Sequence, residues 1–388
     1  MVARRGCAVF LMIFVLLILF ALPVSAVGGD LAGAGAGIER EYRDYLDSLP
    51  EELRDYLPNG LFPTGDRTDF DGVAEAVGEM SSLSYLLSVA GDVLSVEWGT
   101  AWRVLSRTVG LLLLSAVASA LSRTFRSEAL SRMVSLGVSC TVFLMLFDTL
   151  YGQLEKVAAF LGNLDHLITS LLPLMAALSV MGGNVAVAAA QNGSLLLFLN
   201  ICEHLCNRTV IPMTGICLSL TVTSVFSPGL SLKGLTGLVK STYTKTLGFV
   251  MLLLSFVLST QTVLRAAADS LTARTAKFVA GNLIPVVGGA LGDTFRTVAS
   301  GVSFLKSTVG VGVMIVLFVL LLPVLISLLL TRLSFRLSLT VSDLLGCETE
   351  SRLLSELVHI YGMLIAVVSM CSVFLIFALT LFVRTSAA

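Results

Sequence analysis

The fold is decided by residues 309–331, which read VGVGVMIVLFVLLLPVLISLLLT and contain no charged side chain. A helix needs about 20 consecutive apolar residues to cross the hydrocarbon core of a bilayer, and this run is long enough. Two more uncharged runs, Thr246–Leu264 and Ile360–Val383, meet the same condition, and Thr209–Leu232 is also long enough. Backbone groups in lipid must be satisfied within their own segment, so we predict that these runs are membrane-spanning helices.

The composition of the whole chain agrees with this prediction. Of the 388 residues, 56% are hydrophobic and 13% are charged, whereas a soluble chain carries about 25% charged residues. A water-soluble domain of this size could not hide so much apolar surface in one core. We therefore expect an all-α polytopic membrane protein. That class excludes binding of nucleic acid through basic patches, small disulfide scaffolds and ordinary cytosolic enzymes.

The charges divide the chain into unlike parts. Residues 27–100 hold 15 acidic and 4 basic side chains, whereas residues 101–388 hold 11 acidic and 19 basic ones. An acidic soluble segment followed by membrane spans with basic loops would give this asymmetry. We predict three regions: a signal peptide (1–26), an exported amphipathic segment (27–100) and a polytopic transmembrane domain (101–388).

The first 26 residues have the three parts of a secretory signal peptide. Arg4 and Arg5 precede the apolar stretch Val9–Leu22, and the small residues Ser25 and Ala26 follow it. We expect cleavage after Ala26, and the alternative is an uncleaved signal anchor. In both cases the next segment lies outside the cytoplasm.

The exported segment is amphipathic. Apolar residues recur at helical spacing in Glu39–Leu57, where Pro50 interrupts them, and again in Phe70–Trp98. Trp98 and Trp102 stand where interfacial aromatic residues usually lie. About 70 residues with few apolar groups form a weak independent core. The segment is therefore either a solvated stalk or interfacial helix, or a docking surface for another exported protein.

Charge and hydropathy predict seven to eight transmembrane helices in all. The first two spans are expected at 104–121 and 133–151, followed by an outward loop at 152–165 and by short spans at 166–181 and 185–202. The loops 122–132 and 227–245 are rich in Arg or Lys, and such loops favour the cytoplasm. The polar stretch 332–359 is expected to be a connector, either plain or containing an interfacial helix at 351–359.

One apolar run, Phe278–Gly292, is too short to cross the bilayer. Its 15 residues make a helix of about 22 Å, and they include Pro285 and several glycines. Such a stretch is typical of a re-entrant or broken helix that is buried in protein, and the Gly288–Gly292 spacing suits a close helix contact.

The same region carries a resemblance. Residues 274–289 read RTAKFVAGNLIPVVGG, and with the upstream Tyr56-Leu57-Pro58 they resemble the stage III sporulation protein AE family over nearly the whole chain. We assign a structural or functional role to the polar, glycine and proline positions of this stretch and its continuation. These are Lys277, Gly281, Asn282, Pro285, Gly288, Gly289 and Gly292.

The resemblance implies a role in endospore formation. Members of the family lie in the mother-cell membrane around the forespore, and they work with proteins of the same operon. These partners include an ATPase, ring-forming subunits and small membrane subunits, and together with membrane lipids they make up the expected partners. The resemblance implies a non-enzymatic component of a channel or secretion-like complex, without catalytic residues or cofactors.

A few polar side chains interrupt the apolar part. Cys202 and Cys206 are four residues apart on one helix face, but His204 points away from them, so we expect no metal site. Asp148, Glu203, His204 and Arg208 are possible intramembrane polar residues, and the alternative places them at helix ends near the interface.

The alternative function is a stand-alone secondary transporter with its site around residues 278–292. A transporter predicts paired broken helices in two related halves, and no convincing repeat is visible in the sequence.

Overall fold

The computed structural model describes residues 35–50, 57–58, 61, 70–122, 128–181, 201, 204, 208–224, 233–283 and 288–385, with only the backbone for residues 261–307. Regular structure in these ranges is helical throughout, which confirms the all-α prediction. The signal-peptide residues 1–26 lie outside the described ranges, so their cleavage stays a prediction.

Eight helices make up the described part of the chain. They are α1 (Gly35–Asp47), α2 (Phe70–Met80), α3 (Leu83–Ser122), α4 (Glu128–Met181), α5 (208–224), α6 (Lys233–Leu283), α7 (Gly288–Leu345) and α8 (Glu348–Thr385).

Several helices are far longer than a bilayer is thick. Helix α4 has 54 residues, which corresponds to about 81 Å at 1.5 Å per residue, against about 30 Å for the hydrocarbon core. Among the described residues, four helical stretches are long and apolar enough to cross a membrane: Ser84–Leu121, Leu136–Leu174, Thr308–Leu345 and Glu348–Thr380. These stretches support a helical membrane protein, and the total of seven to eight spans stays a prediction.

The prediction of a loop at residues 152–165 is wrong, because helix α4 continues through these residues without interruption. The helix continues because its buried face continues: Val157, Phe160 and Leu164 repeat at helical spacing and pack into the core. The polar Lys156 does not break the helix, because it pairs with Glu97 of α3. The spans predicted at 133–151 and 166–181 are therefore two parts of one helix.

The expected connector at 332–359 is also wrong, because α7 and α8 form a continuous helical hairpin. The turn is a Schellman motif in which Gly346 has a φ of 70° and the Cys347 N–H donates to the Ser342 carbonyl at 3.1 Å. Only glycine takes this left-handed conformation without strain. The predicted interfacial helix at 351–359 is instead the beginning of α8.

Helix α7 is the centre of the bundle and contacts α3, α4 and α8. Close polar contacts fix how far each helix is shifted along its axis. Ser334 of α7 donates to the Ala101 carbonyl of α3 at 3.0 Å, and at the far end of the hairpin Thr380 of α8 reaches Met314 of α7.

The described part of residues 35–80, which the sequence predicts to be exported, is packed onto this bundle rather than standing alone. The side chains of Tyr42, Tyr45 and Val77 are buried among residues 308–316 of α7, and Ser48 donates to Ser170 of α4 at 2.7 Å. Burial raises the pKa of both Tyr42 and Tyr45. Helices α1 and α2 thus obtain their core from α4 and α7, which is why a stalk description does not fit them.

Candidate functional site

The residues predicted from sequence as polar membrane positions do not form one cluster. Asp148 is exposed on α4, and His204 and Arg208 are exposed at or before the start of α5. Neither Asp148 nor Arg208 makes an ion pair within the described part of the chain. Glu203 lies outside the described residues.

The predicted motif at 277–292 contains a boundary between two helices. Helix α6 carries Lys277, Gly281 and Asn282 and ends at Leu283, and α7 begins at Gly288 and carries Gly289 and Gly292. Pro285 lies outside the described residues. Residues 284–287 between the two helices lie outside the described residues, so the predicted broken or re-entrant helix stays a prediction.

Among the described residues, polar groups of different helices meet in three clusters, and the Lys156 side chain of the third is 44% exposed. The first cluster joins α6 to α8: Lys240 Nζ lies 2.8 Å from Glu356 Oε2, and the two side chains are 10% and 13% exposed. The pair borders a groove of about 530 Å³ that is also lined by Arg332 and His359. Gly237 of α6 and Gly362 of α8 form small parts of its wall.

The Arg332 guanidinium is seated directly against Gly362. A Cβ placed on Gly362 would lie 2.9 Å from Arg332 Nη2, closer than real Cβ atoms approach. A side chain at this position would displace the guanidinium from the groove. Glycine permits this close approach, and a Cβ here would require the end of the flexible Arg332 side chain to shift, whereas a Cβ on Gly237 meets nothing within 4 Å.

The second cluster joins α3, α4 and α8 near the α7–α8 turn. The hydroxyls of Ser115 and Ser139 donate to Glu350 Oε1 at 2.9 and 3.0 Å. Glu350 is buried in the first turn of α8, and both serines lie in candidate membrane spans.

The third cluster joins α3, α4 and α7. Lys156 Nζ lies 3.0 Å from Glu97 and 3.1 Å from the Ser327 hydroxyl, and the Gln153 amide donates to Ser327 at 3.1 Å. The lysine charge is balanced by Glu97, and the amide is satisfied by hydroxyl groups, so the cluster holds three helices together without an unpaired charge.

A row of small hydroxyl residues connects the second and third clusters along α7. Its members are Ser327, Thr331, Ser334, Ser338 and Ser342, all of them buried. Small side chains let helix backbones approach closely in membranes, and hydroxyls add hydrogen bonds between helices. This row explains why α3 and α4 pack so tightly on α7.

None of the three clusters resembles a catalytic centre. Within the described ranges, no group of three or more His, Cys, Asp or Glu residues is placed to hold a metal ion. The side chains form ion pairs and hydrogen bonds that connect helices, and a groove of about 530 Å³ lies beside Lys240. These contacts support the packing of the helices against one another.

The comparisons with known proteins agree with the sequence motif. The family model for stage III sporulation protein AE matches residues 74–386. The chain belongs to the stage III sporulation protein AE family. Membership implies a role in sporulation.

A curated member of the family also matches this chain. The stage III sporulation protein AE of Bacillus subtilis (strain 168) is 25% identical over 222 residues, which cover 57% of this chain and 56% of that protein. The match thus spans little more than half of the relative's length. No solved structure matches the chain.

Sequence reasoning missed the clusters because it treated their residues one helix at a time. Glu350 and Glu356 were assigned to a connector, and Ser115 and Ser139 were ordinary members of apolar runs. The available signal was the row of hydroxyl residues on α7, whose spacing of three to four residues keeps them on one helix face.

Proposed function

We propose that this protein is a non-enzymatic membrane component of a channel or secretion-like complex that links the mother cell to the forespore. The family match supports the role in sporulation. The complex, its ATPase and ring-forming partners, and the location in the mother-cell membrane are part of the proposal. Residues 27–100 would face the space between the two membranes.

The observation that carries this proposal is the contrast between the inside and the outside of the bundle. Charged groups such as Lys240 and Glu356 are paired inside, whereas large apolar side chains of α3, α4 and α6 face outward. Leu114, Leu144 and Phe256 are each about two-thirds exposed. Outward apolar faces of this size fit lipid and neighbouring membrane subunits.

The alternative is a stand-alone secondary transporter, and the groove beside Lys240 is the observation that favours it. A transporter site is lined by ionisable residues, and this groove is lined by Lys240, Glu356 and Arg332. The groove is bordered by exposed Ser241 and His359, so it opens toward the outside of the bundle. An opening of this kind suits a partner subunit better than an enclosed substrate path.

Photo-crosslinking in sporulating cells tests the proposal. A photoreactive residue at position 114 is outward-facing, and one at position 112 is a matched control because Leu112 is fully buried two residues away. We expect position 114 to yield an adduct with a protein of the same operon and position 112 to yield none. Specific solute uptake by the purified protein in liposomes, without such an adduct, would favour the transporter.

The glycine motif at 277–292 belongs to the same proposal. We propose that it forms a close backbone contact needed for assembly. Replacing Gly288 with Leu should abolish spore formation while membrane insertion stays normal. A lipid-facing position would accept leucine, so normal sporulation of the Gly288→Leu strain would remove this role.

A further inference from the structure

The groove beside Lys240 has a net positive lining. Among the described charged side chains that line it, Lys240 and Arg332 are cations and Glu356 is an acid. The hydroxyls of Ser241 and Thr244 line it as well, and a hydroxyl can donate to an anionic oxygen. Two cations against one carboxylate favour a ligand that carries a negative charge.

The groove lies where three uncharged runs of the sequence begin or end. Arg332 directly follows the run of α7, His359 directly precedes the run of α8, and Lys240 lies shortly before the run of α6. The three runs are residues 246–264, 309–331 and 360–383.

Contacts beyond the groove show that these runs extend from it toward the same side. A Cβ on Gly248 of α6 would lie 3.4 Å from the end of the Met370 side chain of α8, and Thr380 of α8 reaches Met314 of α7. The groove therefore lies at one boundary of an apolar layer that the three helices share.

Two tryptophans of α3 lie close to the same level of the bundle. Ser334 of α7 donates to the Ala101 carbonyl, which places Trp98 and Trp102 within about one helical turn of the level of Arg332. Their side chains face outward, with 55% and 62% of each residue exposed. Tryptophan is enriched where a membrane meets water, so the two rings agree with a groove at the depth of lipid headgroups.

An apolar face of α6 leads from the mouth of the groove into the apolar layer. Ser241 is exposed at this mouth. Leu252 and Phe256 follow about three and four turns later on nearly the same face of the helix, and they are 65% and 66% exposed. A ligand with an anionic head and an apolar chain fits this combination.

We propose that the groove binds an anionic phospholipid of the membrane. Its phosphate lies between Arg332 and Lys240, and an acyl chain follows Leu252 and Phe256 along α6. Basic pockets between membrane helices bind such headgroups, and a lipid brings the anion and the apolar chain in one molecule. The site does not depend on the proposed complex.

Native mass spectrometry of the full-length protein in detergent tests the site. Phosphatidylglycerol, which carries a negative charge, is compared with phosphatidylcholine, whose headgroup is neutral overall. We expect the protein to retain phosphatidylglycerol about fivefold more strongly, which is the factor that one basic side chain contributes at an anionic membrane surface. This comparison needs no variant to fold, and equal retention of the two lipids would overturn the proposal.

Matched variants assign the preference to the groove. Arg332→Gln should lower it about fivefold, whereas Arg332→Lys should keep most of it. Arg103→Gln is the control, because Arg103 is exposed at a similar level of α3 and does not line the groove. Ser241→Glu places a negative charge at the exposed mouth and should also weaken retention. A preference that survives both Arg332→Gln and Ser241→Glu, or that Arg103→Gln lowers equally, would refute the site.

Two further measurements identify the occupant. Inorganic phosphate in excess should not displace phosphatidylglycerol, since it lacks the apolar chain, and displacement would show that the groove takes a free anion instead. A photoreactive residue at position 241 in sporulating cells should give a lipid adduct. An adduct with a protein in its place would show that a partner subunit occupies the groove, and the lipid assignment would then be wrong.

Discussion

The seating of Arg332 against Gly362 can be tested by adding one methyl group. In Gly362→Ala the new Cβ would lie 2.9 Å from Arg332 Nη2 and 3.2 Å from Cζ. The favourable separation of such atoms is about 3.5–4.0 Å, so the guanidinium has to move. Gly237→Ala is a matched control, because Gly237 lines the same groove and its Cβ would meet nothing within 4 Å.

Both substitutions increase helix propensity, but only the one at Gly362 creates a close contact with Arg332. Alanine is favoured over glycine inside a helix by about 1 kcal/mol, so Gly237→Ala should stabilise the protein by about that amount. At Gly362 the same gain is opposed by overpacking, which costs about 1–3 kcal/mol. We therefore expect Gly362→Ala to be neutral or destabilising by up to about 2 kcal/mol.

The midpoint of thermal unfolding in detergent measures this difference. One kcal/mol corresponds to about 2–4 °C for domains of 150–250 residues, so Gly362→Ala should unfold at least about 2 °C below Gly237→Ala. Spore formation by the Gly362→Ala strain should fall if the position of Arg332 matters for function. Equal stabilisation by both alanines would show that the guanidinium is not held against Gly362.

Two more contacts give predictions of the same kind. Removing Lys240 alone leaves Glu356 enclosed without its partner, so Lys240→Met should lower the free energy of unfolding by about 2–4 kcal/mol. Adding Glu356→Met to this variant should recover most of the loss. If the changes in unfolding midpoint of the two single variants instead add up in the double variant, the two side chains do not form a coupled pair. Helix α2 should cross-link to α7 through Val77→Cys with Gly312→Cys, because a Cβ on Gly312 lies 3.2 Å from Val77 Cγ2. Gly78→Cys with Gly312→Cys should not form the bond, because Gly78 has nothing within 4 Å, and equal disulfide yields on a non-reducing gel would disprove the packing.

The sequence was sufficient to predict the all-α class and the long apolar helices, because each signal is local. The uncharged run at 309–331, the helical spacing of Tyr42 and Tyr45, and the proline and glycines near residue 285 can all be recognised within one segment. The loop predicted at 152–165 failed for the opposite reason. Polar residues there suggested solvent, but Lys156 is satisfied by Glu97 on another helix, and no single segment contains that information.

The clusters of the candidate site could not be predicted from the sequence, for the same physical reason. Each cluster depends on how far the helices are shifted along their axes, and that shift is set by contacts between distant residues. Ser334 donates to the Ala101 carbonyl across 233 positions of sequence, and Ser115 donates to Glu350 across 235. A shift of one helical turn would have separated both pairs.

This axial shift also changes what lies at membrane depth. Since Ser334 of α7 is level with Ala101, the charge-free stretch of α3 that follows Arg107 lies beside the polar end of the α7–α8 hairpin. The uncharged residues 309–331 of α7 lie beside earlier residues of α3, and side chains of α1 and α2 enclose them at their beginning. If α3 crosses the bilayer along its charge-free stretch, Glu350 is inside the membrane, and the hydroxyls of Ser115 and Ser139 explain how a carboxylate is tolerated there.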